Sequence, residues 1–571
     1  MIKRIAILGG GPSGLFVLKR FVEANARNVE IEIFEKKKEL GSGMPYSRDG
    51  AGEEHITNVS GNEIPVFETS LSDWIQTVEP ETLKRFNIQA EKFSDYKVLP
   101  RLLFGQYLSD QFHILERKAK AAGILVKVHR GAMVKDIVDD KEQKLVEVVT
   151  DMKEEAGLFH HVIICTGHLW PVVHEGSVEG YFDSPYPPLK LAGKRNHPVA
   201  IRGSSLTAID AVRTLARHNG EFINGEDGKI SFRLREDRSD FKLVLHSRSG
   251  LLPAVRFHLE DSHLGKDAVL TKEEVEDNKK VNEGFLSLDF VFEKNFKQPI
   301  KEKDPEFYKI IAQMKMEEFV DFIMRLRESV VAFDLFAGEY IEAEKSIKRQ
   351  QSVYWKEMLG VLSFAMNYPA KYFSAEDMLR LHKVLHPLIS IVIAYVPQSS
   401  VEEMLALHNA GLLELVSVGD DSYVEPGDEC GAIYHYTDSF NKARSTHYKT
   451  YIDAIGQPHL NYTQLPYKSL MDKNTVSPAK IKFRDVSVAI KEKAAGNRDV
   501  IIDENGYYLN VPGIAINDNF QVLDEFGAYN ERIFMMAVPY IAGYNPDYSG
   551  LDFCEAASKF IVHTILKESL G

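Results

Sequence analysis

Three glycines near the N-terminus have the spacing of a phosphate-binding turn. Gly9, Gly11 and Gly14 form the pattern G-x-G-x-x-G, and the last two enclose Pro12 and Ser13. The first glycine allows a tight turn, the second lets a pyrophosphate approach the backbone, and the third lets a helix pack closely on a strand. Apolar residues before and after the turn predict a buried strand and then a helix, whose N-terminal N–H groups would face a phosphate.

A carboxylate follows the next predicted strand. Residues 29–34 are largely apolar and end in Glu35, about twenty residues after the last glycine, where an acid can accept hydrogen bonds from a ribose hydroxyl. Strand, helix, second strand and terminal acid together predict a dinucleotide site, and these residues alone allow either FAD or NAD. Lys36 begins a run of lysines that is either solvated or close to the cofactor.

A second turn of the same kind follows the predicted strand 199–202. It consists of Gly203, Ser204, Ser205, Leu206 and Thr207, and it leads into a predicted helix. Ser205 replaces the more usual glycine, so backbone access to a pyrophosphate is narrower there.

The strand predicted at residues 243–246 ends in Ser247 and Arg248. A hydroxyl and a guanidinium at this position favour NADPH over NADH, because arginine binds a 2′-phosphate through two hydrogen bonds. The alternative is that Arg248 pairs with a neighbouring carboxylate.

Two later apolar strands end in turns of small residues. The first runs into Cys165, Thr166, Gly167 and His168, and the second covers residues 451–456. Cys165 and His168 have the spacing of half a metal site, but their position at a strand end favours a turn beside a nucleotide. We therefore predict no metal site.

Composition narrows the classes of function. The 571 residues carry a net charge of −14, which argues against nucleic acid as a partner because phosphate backbones require clustered lysine and arginine. The three cysteines are far apart in sequence, which excludes a paired-thiol reductase and predicts a reducing, cytoplasmic environment. The first strand starts almost at Met1, so we expect no signal peptide, and no apolar stretch is long enough to span a membrane.

The order of elements predicts an α/β protein with two Rossmann-like dinucleotide-binding domains and a helical insert. We expect the first domain to comprise residues 1–190 and 500–571, and the second 195–258 and 400–470. Residues 259–399 are charged and helical in pattern, with helix starts predicted near Asp304, Ser374 and Ser400, and should form the substrate region.

This layout resembles the two-dinucleotide-binding-domain flavoproteins, which have a three-layer ββα/βαβ architecture. More narrowly, the chain resembles an FAD/NAD(P)-binding oxidoreductase family whose members are mostly uncharacterised. The matching segments are the two glycine-rich turns, Gly43–Ser47, Asn58–Val59, Arg101–Leu108, Cys165–His168 and Ser247–Pro253. The insert carries no motif that we recognise.

The resemblance implies FAD in the first domain. It also implies further cofactor-contacting residues: Met44, Pro45, Tyr46, Asn58, Arg101, Val134, Gly550 and Leu551. Tyr46 could instead belong to the core, Asn58 to a plain turn, and Arg101 to a helix start without a ligand. Val538 and Pro539 replace a Gly-Asp pair that is frequent in related proteins, so contacts to the ribitol and flavin ring would come from residues near Gly550.

The expected function is an FAD-dependent, NAD(P)H-using oxidoreductase acting on a small organic substrate, with oxygen insertion as the leading subclass. A reductase or dehydrogenase without oxygen insertion and a non-catalytic flavin or nucleotide sensor are the alternatives. No residue pattern identifies a catalytic acid or base.

Overall fold

The computed structural model describes residues 2–152, 157–226, 228–260, 270–546 and 550–567. The strands are β1 Lys3–Leu8, β2 Val29–Glu35, β3 Ile56–Ser60, β4 Val98–Pro100, β5 Leu125–Arg130, β6 Val134–Asp140, β7 Leu145–Thr150, β8 Leu158–Phe159, β9 His161–Ile164, β10 Tyr181–Phe182, β11 Pro198–Arg202, β12 Gly220–Asn224, β13 Ile230–Leu234, β14 Lys242–Ser247, β15 Leu413–Ser417, β16 Tyr423–Pro426, β17 Ala432–Thr437, β18 Ala443–Tyr448, β19 Thr450–Asp453, β20 Pro478–Lys482, β21 Val500–Asp503, β22 Gly506–Ile514, β23 Gln521–Leu523 and β24 Tyr529–Met535.

The α-helices are α1 Pro12–Glu23, α2 Leu71–Ile75, α3 Pro80–Arg85, α4 Arg101–Ala121, α5 Leu206–Asn219, α6 Lys272–Val281, α7 Leu288–Phe292, α8 Gln298–Lys303, α9 Pro305–Ile311, α10 Met316–Glu328, α11 Ala332–Arg349, α12 Tyr354–Met366, α13 Ala375–Arg380, α14 His386–Val392, α15 Gln398–Asn409, α16 Lys468–Asp472, α17 Val486–Ala494 and α18 Gly550–Lys567.

The first sheet is the predicted dinucleotide-binding sheet. Its strand order is β23-β24-β9-β1-β2-β5, and all pairs except β23–β24 are parallel. A separate antiparallel sheet, β6-β7-β8, leads from β5 back to β9. The apolar side chains of β1, β2 and β9 are buried, because helix α1 and the antiparallel β6-β7-β8 sheet pack against this sheet.

The second sheet repeats this arrangement. Its order is β10-β19-β11-β14-β15, and an antiparallel sheet, β16-β17-β18, precedes β19 as β6-β7-β8 precedes β9. Thus β11, β14, β15 and β19 occupy the places of β1, β2, β5 and β9. The predicted fold class, two Rossmann-like units with a helical insert, is confirmed.

The insert consists of helices α6–α14. Helix α11 packs in the core of the second unit through Phe333 and Phe336, whereas the other helices surround a core of their own. Phe296, Phe319 and Leu359 are buried in it. Two π-helical turns, Glu293–Lys297 and Leu381–Leu385, lie just before Pro299 and Pro387. Proline has no N–H to continue the i to i−4 hydrogen bonds, which accounts for the wider turn before each one.

A small antiparallel sheet that the sequence pattern did not reveal packs on the insert. Its order is β20-β22-β21, and Ile481, Phe483 and Leu509 join the core of the insert. Residues 500–514 therefore lie in this sheet, and the first sheet resumes at Gln521, beyond the boundary predicted at residue 500.

Two of the three predicted helix starts agree with the structure. Asp304 and Ser374 cap α9 and α13 through Phe307 N–H and Asp377 N–H, as predicted. The start predicted near Ser400 is wrong, because α15 begins at Gln398 after Pro397. A helix can start after proline without a side-chain cap, since proline presets the backbone angle.

Candidate nucleotide-binding sites

The first glycine-rich turn is closed by neighbours that leave no space for side chains. Gly9 has φ +114°, and a Cβ atom there would lie 2.6 Å from the Cys165 carbonyl oxygen. Its N–H donates to the Phe34 carbonyl at 2.8 Å. A Cβ atom at Gly14 would lie 2.2 Å from the Gly9 oxygen. These two positions require glycine for the turn and for close packing of α1 on β1.

The N-terminus of α1 is suited to a phosphate. Gly11 is its N-cap residue, Pro12 begins the helix, and among the described residues no side chain caps it. A Cβ atom at Gly11 would lie 3.1 Å from the Cα atom of Gly43, the residue before Met44 and Pro45. The open backbone and the positive end of the helix dipole fit the pyrophosphate of a dinucleotide.

Glu35 orders the backbone of the same turn. Its two carboxylate oxygens accept hydrogen bonds from Gly10 N–H at 2.8 Å and Lys37 N–H at 2.9 Å. Each oxygen keeps a second lone-pair direction for a ribose hydroxyl. The Glu35 carbonyl accepts from Ala132 N–H at 3.0 Å, which brings Val134 at the start of β6 close to this edge, whereas Lys36 is exposed.

The C-terminal helix reaches the first turn. Helix α18 packs along α1, and Ser13 Oγ lies 3.4 Å from Cys554 Sγ. This contact brings the start of α18, with exposed Gly550 and buried Leu551, to the same end of the sheet. Residues separated by more than 500 positions therefore meet at the predicted flavin site.

The remaining predicted residues of the first site surround this end. The Tyr46 ring packs edge-to-face on Phe104 at 4.9 Å, and burial raises the pKa of Tyr46 to about 12. Cys165 is buried, which raises the pKa of its thiol, while Thr166 and Gly167 continue the turn outward. Asn58 is exposed, and its carbonyl accepts from Arg256.

Arg101 is held by the second unit. Its Nη1 donates to Asp210 Oδ2 at 2.6 Å and its Nε to the Ile56 carbonyl at 3.1 Å. Asp210, on α5, also accepts from the Tyr186 hydroxyl at 2.7 Å. The guanidinium therefore joins the two nucleotide-binding units, a role that sequence reasoning missed. The available signal was a carboxylate within the apolar part of α5.

The second turn has the same closing contacts as the first. Gly203 has φ +108°, a Cβ atom there would lie 2.7 Å from the Ala454 oxygen, and its N–H donates to the His246 carbonyl at 2.8 Å. Ser205 is the N-cap of α5 without a side-chain cap, and Leu206 and Thr207 form its first turn. Ser204 Oγ donates to the Leu251 carbonyl at 2.8 Å.

The strand register places Ser247 where the first unit has Glu35. Leu8 is opposite Phe34, and Arg202 is opposite His246, so the next residues correspond. Ser247 is buried, whereas the Arg248 side chain is 74% exposed and lies 3.7 Å from Asp420, itself 87% exposed. Such a surface pair contributes about 0–1 kcal/mol, so Arg248 can exchange this partner for a phosphate.

The described residues show neither a metal-binding cluster nor a membrane-spanning helix. They contain no group of three His, Cys, Asp or Glu side chains arranged to hold a metal ion. None of their helices is long and apolar enough to cross a membrane.

The duplicated sheets and turns define a protein with two dinucleotide-binding domains. Residues 6–169 match a family model described as FAD-NAD(P)-binding, in agreement with the resemblance seen in the sequence motifs. Residues 271–393 match a model described as YdhS-like middle domain, which the sequence analysis did not identify.

Similarity to known proteins extends beyond these segments. The uncharacterized protein YdhS of Escherichia coli is 28% identical over 478 residues, which cover 83% of this chain and 86% of that protein. Dimethylaniline monooxygenase [N-oxide-forming] 2 of Cavia porcellus is 24% identical over 265 residues, covering 43% of this chain and 44% of that protein.

Among solved structures, the ornithine N-hydroxylase of Kutzneria sp. 744 is 12% identical with a TM-score of 0.45, and the alignment covers 100% of both chains. Ornithine hydroxylase PvdA of Pseudomonas aeruginosa is 11% identical with a TM-score of 0.47, again over 100% of both chains.

Proposed function

We propose that the protein is an FAD-dependent oxidoreductase that takes electrons from NADPH and acts on a small organic substrate. The observation that carries this proposal is the pair of matched turns with different strand-end residues. The first turn ends beside Glu35, which suits a ribose hydroxyl, and the second beside Ser247 and Arg248, which suit a 2′-phosphate.

Each unit has a distinct task in this proposal. Gly9, Gly11 and Gly14 admit the pyrophosphate of FAD, with Glu35 on its ribose, while Gly203 and Ser205 admit that of NADPH. The flavin supplies the redox chemistry when bound, and the protein supplies orientation and exclusion of water. The domain division predicted from the sequence remains part of this proposal, with residues 478–514 assigned to the insert.

Oxygen insertion is the subclass we favour. In support, the chain resembles over part of its length a relative whose name describes an N-oxide-forming monooxygenase. A reductase or dehydrogenase without oxygen insertion and a sensor without turnover are the competing outcomes.

A cavity of about 350 Å³ is the candidate place for the substrate. It lies where the antiparallel strand pair β3–β4 meets residues 256–259 and helix α11, and its lining includes Ser60, Tyr96, His258 and Glu344. Side chains from the first unit and from the insert thus contribute to one concave surface. We further propose a cytoplasmic protein without nucleic-acid or membrane partners, consistent with the negative net charge of −14.

Three successive measurements test the proposal. The purified protein should show a flavin absorbance spectrum or acquire one on addition of FAD; failure of both rejects the flavoprotein assignment. Anaerobic NADPH should then bleach the flavin, whereas an unchanged spectrum indicates a sensor. Finally, oxygen is admitted to the reduced protein. A transient band distinct from oxidised and reduced flavin supports the oxygenase, because a shielded site is needed to preserve it, and direct reoxidation supports the reductase.

A further inference from the structure

Strands β9 and β19 are each followed by a turn that lies beside the glycine-rich turn of the same unit. A Cβ atom on Gly9 would lie 3.4 Å from the backbone nitrogen of Thr166, and one on Gly203 would lie 3.4 Å from that of Ile455. Thr166 and Ile455 therefore occupy equivalent places, each next to a turn suited to a pyrophosphate. We call these two segments the strand-end turns: residues 165–168 and 454–457.

The last residues of the two strand-end turns, His168 and Gln457, are equivalent and contact each other. Gln457 Oε1 accepts hydrogen bonds from Leu169 N–H at 3.1 Å and from His168 Nδ1 at 3.0 Å. Gln457 Nε2 donates to the carbonyl oxygens of Leu169 at 2.7 Å and Pro458 at 3.0 Å. The amide thus uses both its acceptor and its donor atoms, which a carboxylate in the same place could not do. We call His168, Leu169 and Gln457 the junction.

The junction continues into the contact between the two nucleotide-binding units. Trp170 Nε1 donates to the Gly456 carbonyl at 3.1 Å. The Trp170 ring contacts the rings of His168 and Tyr186, with centroids 5.6 and 5.3 Å apart. The Tyr186 hydroxyl in turn donates to Asp210 at 2.7 Å. Hydrogen bonds and ring contacts therefore fix the position of one strand-end turn relative to the other.

The junction lies where the redox ends of the two nucleotides should meet. A dinucleotide on a sheet of this type lies across the carboxyl ends of the parallel strands. The strand-end turns are at those ends, one in each unit, and the junction is where they touch. Leu169 and Ile455 are 46% and 63% exposed, so the described part of the chain leaves this place accessible.

We propose that the nicotinamide of NADPH meets the flavin beside the junction, and that Gln457 is a positioning residue for the transfer between them. This inference rests on the proposed function, because it assigns the first unit to FAD and the second to NADPH. Gln457 acts by fixing the distance between the strand-end turns, without touching the reacting atoms.

The step that depends on this distance is the transfer of one hydride, a proton with two electrons. The bond from hydrogen to nicotinamide C4 breaks and a bond to flavin N5 forms, so NADPH is oxidised to NADP⁺ as the flavin is reduced. The reacting atoms must approach to about 3–3.5 Å, and a displacement of about 1 Å can lower the rate about 100-fold. A change at the junction should therefore slow reduction even when both nucleotides remain bound.

Anaerobic stopped-flow reduction of the FAD-loaded protein by NADPH tests this. Gln457→Glu keeps the size of the side chain but loses both donated hydrogen bonds, and Gln457→Ala loses all the hydrogen bonds of the amide. We expect the limiting rate at saturating NADPH to fall at least about tenfold in both variants. Calorimetry should show little change in Kd for NADP⁺. Gln76→Glu is the matched control, because Gln76 is exposed and its Nε2 donates to the Ala90 carbonyl at 3.0 Å.

A second measurement needs no turnover. NADP⁺ bound with its nicotinamide beside the flavin should change the absorbance spectrum of the oxidised flavin in the wild type. At saturating NADP⁺ this difference spectrum should be smaller in Gln457→Glu, with flavin content and Tm close to those of the wild type. If Gln457→Ala loses flavin or unfolds, Gln457→Glu alone decides.

The outcomes separate this inference from the proposed function. A wild-type limiting rate or a wild-type difference spectrum in Gln457→Glu overturns the inference and leaves the proposed function in place. A loss confined to Kd for NADP⁺ also overturns it, because Gln457 would then contribute to binding and not to positioning. If NADPH does not reduce the flavin of the wild type, the proposed function is rejected together with the inference.

Discussion

Breaking the ion pair between Arg101 and Asp210 should destabilise the protein and loosen the contact between its two nucleotide-binding units. Their closest atoms are 2.6 Å apart, and the side chains are only 15% and 6% exposed. Arg101→Met leaves the Asp210 carboxylate buried with the Tyr186 hydroxyl as its remaining donor. Removing one member of a buried pair costs about 3–5 kcal/mol.

The assay is thermal unfolding followed by circular dichroism. For a cooperative unit of 150–250 residues, 1 kcal/mol shifts Tm by about 2–4 °C, so the loss should be roughly 6–20 °C. Arg233→Met is the control, because Arg233 and its partner Glu221 are 69% and 58% exposed and should contribute about 0–1 kcal/mol.

The double variant Arg101→Met/Asp210→Leu identifies the cause. If the cost comes from an unpaired charge, the double variant should be more stable than Arg101→Met alone. Independent, additive losses would refute the reasoning.

Arg101 holds the pKa of Asp210 below its usual value, so the contribution of the pair is present above pH 4 and is lost as the pH falls through the folded-state pKa. The difference between wild type and Arg101→Met should therefore shrink below about pH 4.

Three further predictions concern the sites and the core. Gly11→Val should abolish FAD binding, measured by flavin absorbance after reconstitution, because a side chain there occupies the pyrophosphate position. The control is Gly338→Ala, at a position where an added Cβ atom has no atom within 4 Å. Retained flavin in Gly11→Val would contradict the assignment of the site. Arg248→Ala should raise KM for NADPH by a factor corresponding to about 1.5–3 kcal/mol, with KM for NADH little changed. The control Arg325→Ala, at a side chain that is 75% exposed, should change neither KM. Equal effects of Arg248→Ala on both nucleotides would exclude a 2′-phosphate contact. His246→Phe should raise Tm at pH 6, because the imidazole is buried beside Tyr434 and burial lowers the pKa of His246 to about 4. The gain should grow from pH 7 to pH 5, since the unfolded chain takes up a proton in that range, and a lower Tm would show that hydrogen bonds of the imidazole outweigh the cost of burying it.

The sequence by itself determined the two glycine-rich turns and the elements around them. Gly9 and Gly203 have φ +114° and +108°, a conformation that side chains rarely adopt, so the residue type reports the local backbone directly. Apolar runs likewise identified β1, β2, β11 and β14, because strands buried on both faces need continuous apolar sequence. These signals involve neighbouring residues, which explains why the fold class was predictable.

Only the tertiary structure decided which distant residues meet. Arg101 pairs with Asp210, 109 positions along the chain, and the sheet of residues 478–514 packs on the insert. No local pattern encodes such pairs, because burial of a charge or imidazole depends on how whole elements pack. The sequence specified the two glycine-rich turns and the strands beside them, and packing between the units decided which polar groups lie together at the sites.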